Sequence, residues 1–357
     1  MMPFFEKKVH IRSKADWYRI NPEQAARVEE LVVASSVGDQ FVIGEDDIDF
    51  EHTFPRLKHL SVWKYLSQGE WNHIARLPLR TLNVCIDALP ESITMPELRE
   101  LIVFVREESF SPMELEILRT GGTHRSIDLS GCISLEWLTI RHVPDLDIRC
   151  LSGLSTLRKL VLYGTVLSDL SPLTAIQLTS LSFSNCYLRD VSGLERIETL
   201  QNIDLSYNDI ENAAALCVLP HLQKLYLRKN PLKDEQAVRE LFHGQELIIS
   251  EHEYQLKRID SDISRLKLEA GKILFNSLRG SMSSVPGSFH EKVKFQKLME
   301  WDYTELMKDK ILSLARRGLR QLSDKAIHNS AEFDYTEYYI NTLRETYPFL
   351  KDEELRL

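Results

Sequence analysis

The chain has 357 residues, of which 43% are hydrophobic and 27% are charged, and this composition excludes a disordered or a membrane-embedded protein. The net charge is −9, and all of the excess acid lies in the first 250 residues, because 18 basic residues balance 18 acidic ones from Glu251 onward. Non-specific nucleic-acid binding needs many phosphate-neutralising cations. We therefore expect no nucleic-acid partner, and no membrane partner either.

The N-terminal segment, MMPFFEKKVHIRSK, lacks an apolar run followed by a small-residue cleavage site, so it predicts no secretory signal. The five cysteines are widely spaced, and their odd number argues against a disulfide framework. We expect a cytoplasmic protein, or an effector delivered by another route. Asn21, Pro22 and Gln24 are typical of a helix start, and residues 28–33 predict a first strand. Residues 1–50 are therefore predicted to form an N-terminal cap.

A regular leucine period runs through the middle of the chain. The pattern L-x-x-L-x-L-x-x-N-x-L recurs in close register from Leu157 onward, and weaker copies precede it. The eight copies begin at Leu57, Leu79, Leu98, Leu135, Leu157, Leu178, Leu200 and Leu222. Between the third and fourth copies the register breaks. There we expect an inserted helix and loop at 110–122, and an irregular strand in the segment SIDLSGC.

Each repeat predicts one short strand whose alternating leucines point inward, and only stacking of repeats buries that apolar side. The ninth residue should turn inward and bond free backbone groups, a role that suits Asn208 and Asn230. Val143 and Arg106 do not suit it, so those two repeats should be distorted.

This pattern, over about residues 51–250, resembles the leucine-rich-repeat family in its short-repeat class, whose unit has roughly 22 residues. That class occurs in phosphatase-regulating and internalin-type proteins. The resemblance implies an α/β solenoid, in which a curved leucine-rich-repeat array carries a parallel sheet on its concave face.

From Glu251 onward the strand pattern gives way to helical spacing. Apolar residues recur from Ile259 to Ile273, a serine-rich linker is expected at 281–288, and further helices are expected at about 290–317 and 336–346. Residues 251–357 are therefore predicted to form an all-α C-terminal region. It either packs against the array or forms a separate bundle, and in the second case it could supply a homodimer interface.

The sequence contains no recognisable catalytic or metal-binding motif. Leu256 and Lys294 stand where a zinc helix would need its second histidine, and no phosphate-binding loop is present. Cysteine and histidine also lack paired metal-ligand spacing, and no cysteine follows Cys217 to serve as a ligase nucleophile. We therefore predict no catalytic site, no cofactor and no metal. The alternative is an enzyme in the helical region, with the repeats selecting its substrate.

The strand residues that alternate with the leucines should line the concave face and bind a protein. Aromatic and basic residues gather there, and Trp, Tyr and Arg supply most interface energy. The predicted contact residues are Trp63, Phe104, Trp137, Arg141, Lys159, Tyr163, Lys224, Tyr226 and Arg228. We expect an aromatic patch in the N-terminal half, a basic patch around Tyr226, and a partner with an acidic, apolar-studded surface. Alternatively, the aromatic residues reflect strand preference alone, and the basic side chains merely cover the sheet.

These features together predict a non-enzymatic interaction protein. It would act as an inhibitor or immunity-type protein that occludes an enzyme, or as an adaptor or effector.

Overall fold

The computed structural model describes residues 7–34, 42–44, 49–106, 111–120, 124–282, 311–320, 335–347 and 350. The chain divides into two compact units, Met1–Ile249 and Ser250–Leu357. The first unit is built on one parallel sheet of eleven strands, whose order follows the chain. Each strand pairs only with its neighbours in sequence, as expected for a stack of repeats. The predicted α/β solenoid is confirmed.

The strands are short, as the two-leucine pattern requires. They are β1 Lys8–Ile11, β2 Glu30–Val33, β3 His59–Leu66, β4 Thr81–Ile86, β5 Glu100–Val105, β6 Trp137–Arg141, β7 Lys159–Tyr163, β8 Ser180–Ser184, β9 Asn202–Asp204, β10 Lys224–Tyr226 and β11 Glu246–Ile248. All eight repeat copies supply a strand. The sequence did not predict β1, which extends the sheet beyond β2 and pairs with it in parallel.

Most of the connections between strands contain a short α-helix or a 3-10 helix. The α-helices are α1 Lys14–Tyr18, α2 Pro22–Ala25, α3 Phe50–Thr53, α4 Gln68–Ile74, α5 Pro112–Arg119 and α6 Glu235–Leu241. The 3-10 helices are Ile148–Leu151, Ser171–Ala175, Leu194–Arg196 and Ala214–Val218. The leucines of every repeat meet between the sheet and these connections in one continuous core.

The turn after each strand from β6 to β10 has at least one residue in the left-handed backbone region. These residues are His142, Gly164, Asn185 with Tyr187, Tyr207 and Lys229. His142 precedes Val143, so the repeat that was expected to be distorted keeps the same turn. Val143 is buried in the core, and the predicted distortion there is wrong because an apolar side chain fills the inward position.

The chain between β5 and β6 holds the predicted inserted helix, α5, but no extra strand of the sheet. β5 pairs directly with β6, and the segment SIDLSGC makes only an isolated bridge between Asp128 and Ser92. Ile127 and Leu129 are buried, so they fill the core without entering the ladder. The expected irregular strand is therefore wrong.

Arg119 connects α5 by hydrogen bonds to the turns of two later repeats. Its guanidinium donates to Glu116 at 2.8 Å, to the carboxylate of Asp209 at 3.1 Å and to the carbonyl of Tyr187 at 3.3 Å. Tyr187 and Asp209 follow β8 and β9, whereas α5 follows β5 in the chain. The last residue of α5 therefore lies beside the turns that follow β8 and β9, three to four strands beyond β5.

The second unit is helical in the residues that the structure describes. It contains α7 Glu251–Met282, a helical stretch at 311–320 and α8 Tyr335–Thr346. Ile259, Ile263, Leu319, Tyr339 and Leu343 are among the side chains of its own core. The expected linker lies outside the described residues except for its first two, which end α7, and most of the helix expected at 290–317 also lies outside them. The predicted all-α character is confirmed for the rest.

Candidate binding surface

The register of the sheet arranges outward side chains in columns across neighbouring strands. Trp137, Lys159 and Ser180 share one column, and Phe104, Arg141 and Tyr163 share another. We call this side of the sheet, opposite the buried leucines, the sheet face. Its residues from β3 to β10 are exposed or half-buried, with few exceptions such as Thr139, which is 4% exposed.

Six of the nine predicted contact residues lie on strands β3 to β7 in two groups of contacts, which we call together the aromatic–cation cluster. Its members are Trp63, Phe104, Trp137, Arg141, Lys159 and Tyr163. The rings of Trp63 and Phe104 lie 6.0 Å apart. The Arg141 guanidinium carbon lies 5.2 Å from the Phe104 ring centre and 5.6 Å from that of Tyr163. Arg141 thus sits between two aromatic rings of neighbouring strands.

The other half of the cluster is a lysine placed on an indole. The ammonium nitrogen of Lys159 lies 3.5 Å from the ring centre of Trp137. The indole N–H of Trp137 donates to the Thr139 hydroxyl at 3.1 Å, which fixes the ring over its own strand. Cation–π attraction therefore holds both cations of the cluster against fixed aromatic surfaces.

Neither cation of the cluster has a carboxylate partner in the described part of the chain. Arg141 forms no ion pair there, and its Nε atom, although buried, has no hydrogen-bond acceptor. Lys159 likewise forms no ion pair among those residues. The cluster therefore presents two positive charges that the described residues do not neutralise.

The three C-terminal predicted residues lie apart from the cluster, and their charge is partly neutralised. Lys224 lies 3.6 Å from Glu246, whose carboxylate also accepts the Tyr226 hydroxyl at 2.5 Å. Burial and this carboxylate raise the pKa of Tyr226. The Arg228 guanidinium carbon lies 4.7 Å from the Tyr207 ring centre. The expected basic patch around Tyr226 is therefore a mixed-charge group that includes Glu246, which sequence reasoning did not place there.

Sequence reasoning also missed Tyr65. Regular alternation would put Trp63 opposite Cys85, but a bulge between Val62 and Tyr65 puts Tyr65 there instead. Tyr65 is 44% exposed, and the guanidinium carbon of Arg106 lies 4.4 Å from its ring centre. Two aromatics within this one long strand, at 63 and 65, were the available signal.

The described residues offer little for catalysis. No group of three or more His, Cys, Asp or Glu among them could hold a metal ion. Burial raises the pKa of the Cys85 thiol on the sheet face, and that of Cys186 to about 12, so neither is an activated nucleophile. A cavity of about 330 Å³ lies beside His124, Asp147 and other residues of the connections, away from the sheet face. Among the described helices, none is long and apolar enough to cross a membrane.

No protein-family model matches the chain. Leucine-rich repeat-containing protein 56 of Homo sapiens is 26% identical over 200 residues, a match that covers 54% of this chain and 32% of that protein. The matched stretch is thus about a third of the relative's length.

Two internalins of Listeria monocytogenes are similar among solved structures. The internalin inlF is 17% identical with a TM-score of 0.43, and the match covers 68% of this chain and 72% of inlF. Internalin C2 is 23% identical with a TM-score of 0.36, and the match covers 50% and 74% of the two chains.

Proposed function

We propose that this chain, a leucine-rich-repeat protein as its leucine period predicts, is a non-enzymatic module that binds another protein through its sheet face. The observation that carries the proposal is the aromatic–cation cluster. Large rings and arginine, half-exposed and held in place, are the residue types that dominate protein interfaces. Because their positions are fixed before binding, little conformational entropy is lost when a partner covers them.

The proposed partner has an acidic surface studded with apolar side chains. Arg141 and Lys159 form no ion pair with a carboxylate in the described part of the chain. A carboxylate of the bound protein could therefore form an ion pair with them without displacing an internal one. We propose that the protein acts in the cytoplasm, where it occludes an enzyme as an inhibitor or immunity-type protein, or links proteins as an adaptor. Neither nucleic acid nor a membrane is part of this proposal.

The test is affinity capture from the native cytosol with the full-length chain, followed by mass spectrometry. The double change Trp137→Ala with Tyr163→Ala should abolish capture of the principal partner while leaving thermal unfolding nearly unchanged. Tyr18→Ala, which removes an exposed aromatic ring from α1, is the matched control and should capture normally. Retained capture by the double variant would exclude the sheet face.

The helical second unit bears on two alternatives. Partner capture that survives every change on the sheet face would direct attention to residues 251–357, including the enzyme alternative. A homodimer through those residues stays a prediction, and sedimentation equilibrium of the same full-length sample decides it.

A further inference from the structure

Two lysines occupy the same place in different repeats but have different surroundings. Lys159 begins β7 and Lys224 begins β10, and both side chains point from the sheet face. Glu246 of the next strand lies 3.6 Å from Lys224. Lys159 instead has the Trp137 ring beside it on β6 and Ser180 on β8. The array thus neutralises one lysine internally and leaves the other against an aromatic ring.

Arg141 is also prepared for an external acid. Two aromatic rings lie beside its guanidinium, and its buried Nε has no hydrogen-bond acceptor among the described residues. A planar guanidinium edge binds a carboxylate through two parallel hydrogen bonds, which is stronger and more directional than a point-charge contact. Cation–π attraction to the two rings favours this position of the side chain before a ligand binds.

We infer that Arg141 and Lys159 together form the acid-recognising centre of the sheet face, and that this centre takes an extended acidic peptide segment of the partner. The inference rests on the proposed function and narrows it to one pair of residues. It also revises the sequence-based expectation of a basic patch around Tyr226, because Glu246 pairs with Lys224 and accepts the Tyr226 hydroxyl there.

The spacing of the two cations sets the pattern of the segment. Arg141 lies opposite Tyr163, which is four residues beyond Lys159 on β7. The backbone positions of Arg141 and Lys159 are therefore about 13 Å apart along the strand direction. Two acidic residues four positions apart in an extended peptide span about the same distance and project from the same side. The residue midway between them projects there too, over Val161, which favours an apolar side chain.

The probe is a fluorescein-labelled peptide, Gly-Glu-Ser-Leu-Ser-Glu-Gly, measured by fluorescence polarisation against the full-length protein. Its counterpart with glutamine in place of both glutamates is the peptide control. We expect the acidic peptide to bind and the glutamine peptide to bind at least about tenfold more weakly, since charge-assisted bonds are stronger than neutral ones. Lys159→Gln and Arg141→Gln should each weaken binding about tenfold, whereas Lys224→Gln should leave it unchanged.

Three results would overturn the inference. The first is that the acidic peptide does not bind at about 1 mM protein. The second is that both peptides bind equally well. The third is that Lys224→Gln weakens peptide binding while Lys159→Gln does not. Lys159→Arg keeps the charge and should restore binding, which separates the loss of charge from misfolding. The proposed function fails by a different result, because unchanged partner capture by the Trp137 and Tyr163 double variant would exclude the sheet face whatever the peptide does.

Discussion

Replacement of Asn208 by alanine should destabilise the array more than almost any other polar substitution in it. The Asn208 side-chain carbonyl accepts from the backbone amides of Cys186 at 2.9 Å and Leu188 at 3.1 Å. Its amide group donates to the carbonyls of Phe183 at 2.6 Å and Leu205 at 2.9 Å. The side chain is buried, so it satisfies backbone groups of two adjacent repeats that water does not reach.

The expected magnitude follows from the groups that alanine leaves without partners. A buried donor or acceptor that loses its partner costs about 1–3 kcal/mol. The two amides alone therefore give about 2–6 kcal/mol, and we expect a loss of about 4 kcal/mol in the free energy of unfolding. This lies in the upper tail of single substitutions, where broken buried networks are found.

Urea unfolding followed by circular dichroism measures the loss, and hydrogen exchange at the amides of Cys186 and Leu188 locates it. Repeat arrays open locally, so protection should fall first at these two amides. Asn202→Ala removes the same residue type from the half-exposed sheet face of the same repeat and is the control. A loss below about 1 kcal/mol, or unchanged protection of the two amides, would refute the reasoning.

Three further changes test other parts of the first unit. Burial alone would raise the pKa of Glu70, but hydrogen bonds from Lys64 and backbone amides lower it below its usual value. Stability should therefore fall in urea titrations as pH drops through that lowered pKa, and Glu70→Gln should flatten the fall. Arg119→Ala should speed hydrogen exchange throughout α5. Gly131→Ala should cost about 1–3 kcal/mol, measured by urea unfolding, because a Cβ there would lie 2.8 Å from the Thr94 Cα.

The sequence predicted the strands of the repeats because burial of their leucines is a strictly periodic requirement. The sequence did not reveal β1, although it lies one period before β2, because only one residue of this short strand, Ile11, is fully buried. The apolar alternation around Ile127 and Leu129 is typical of a strand, but the segment makes only an isolated bridge. Alternation reports which side chains are buried, and it does not report whether a neighbouring strand has a free edge for pairing.

The last helix of the array shows the same limit. Asp234 stands at the N-cap position of α6, where local rules predict that its side chain caps the helix. Its carboxylate instead accepts from the backbone amides of Ala213 and Ala214 in the preceding repeat, and Leu241 is 50% exposed. Local capping rules consider one helix alone, whereas in a stacked array the carboxylate can accept from backbone amides of the preceding repeat.

Contacts in the array connect residues one repeat apart, and this spacing is readable in the sequence. The ion pairs Lys7–Glu29, Lys8–Glu30 and Lys224–Glu246 all join residues separated by one full period. Where the repeat is shorter, between β4 and β5, the separation of Arg106 from its partner Asp87 shortens by the same amount. Residues one period apart are therefore side-chain neighbours in this sheet, as residues four apart are in a helix.

The same arithmetic explains why the two matched lysines differ. One period on either side of Lys224 stand Asn202 and Glu246, and the carboxylate neutralises the ammonium group. For Lys159 the neighbours at that distance are Trp137 and Ser180, neither of which carries a charge. No acidic residue therefore stands one period before or after Lys159 to neutralise its charge. A partner's carboxylate can bind there without competing against an internal one, which is the condition that the acid-recognising centre requires.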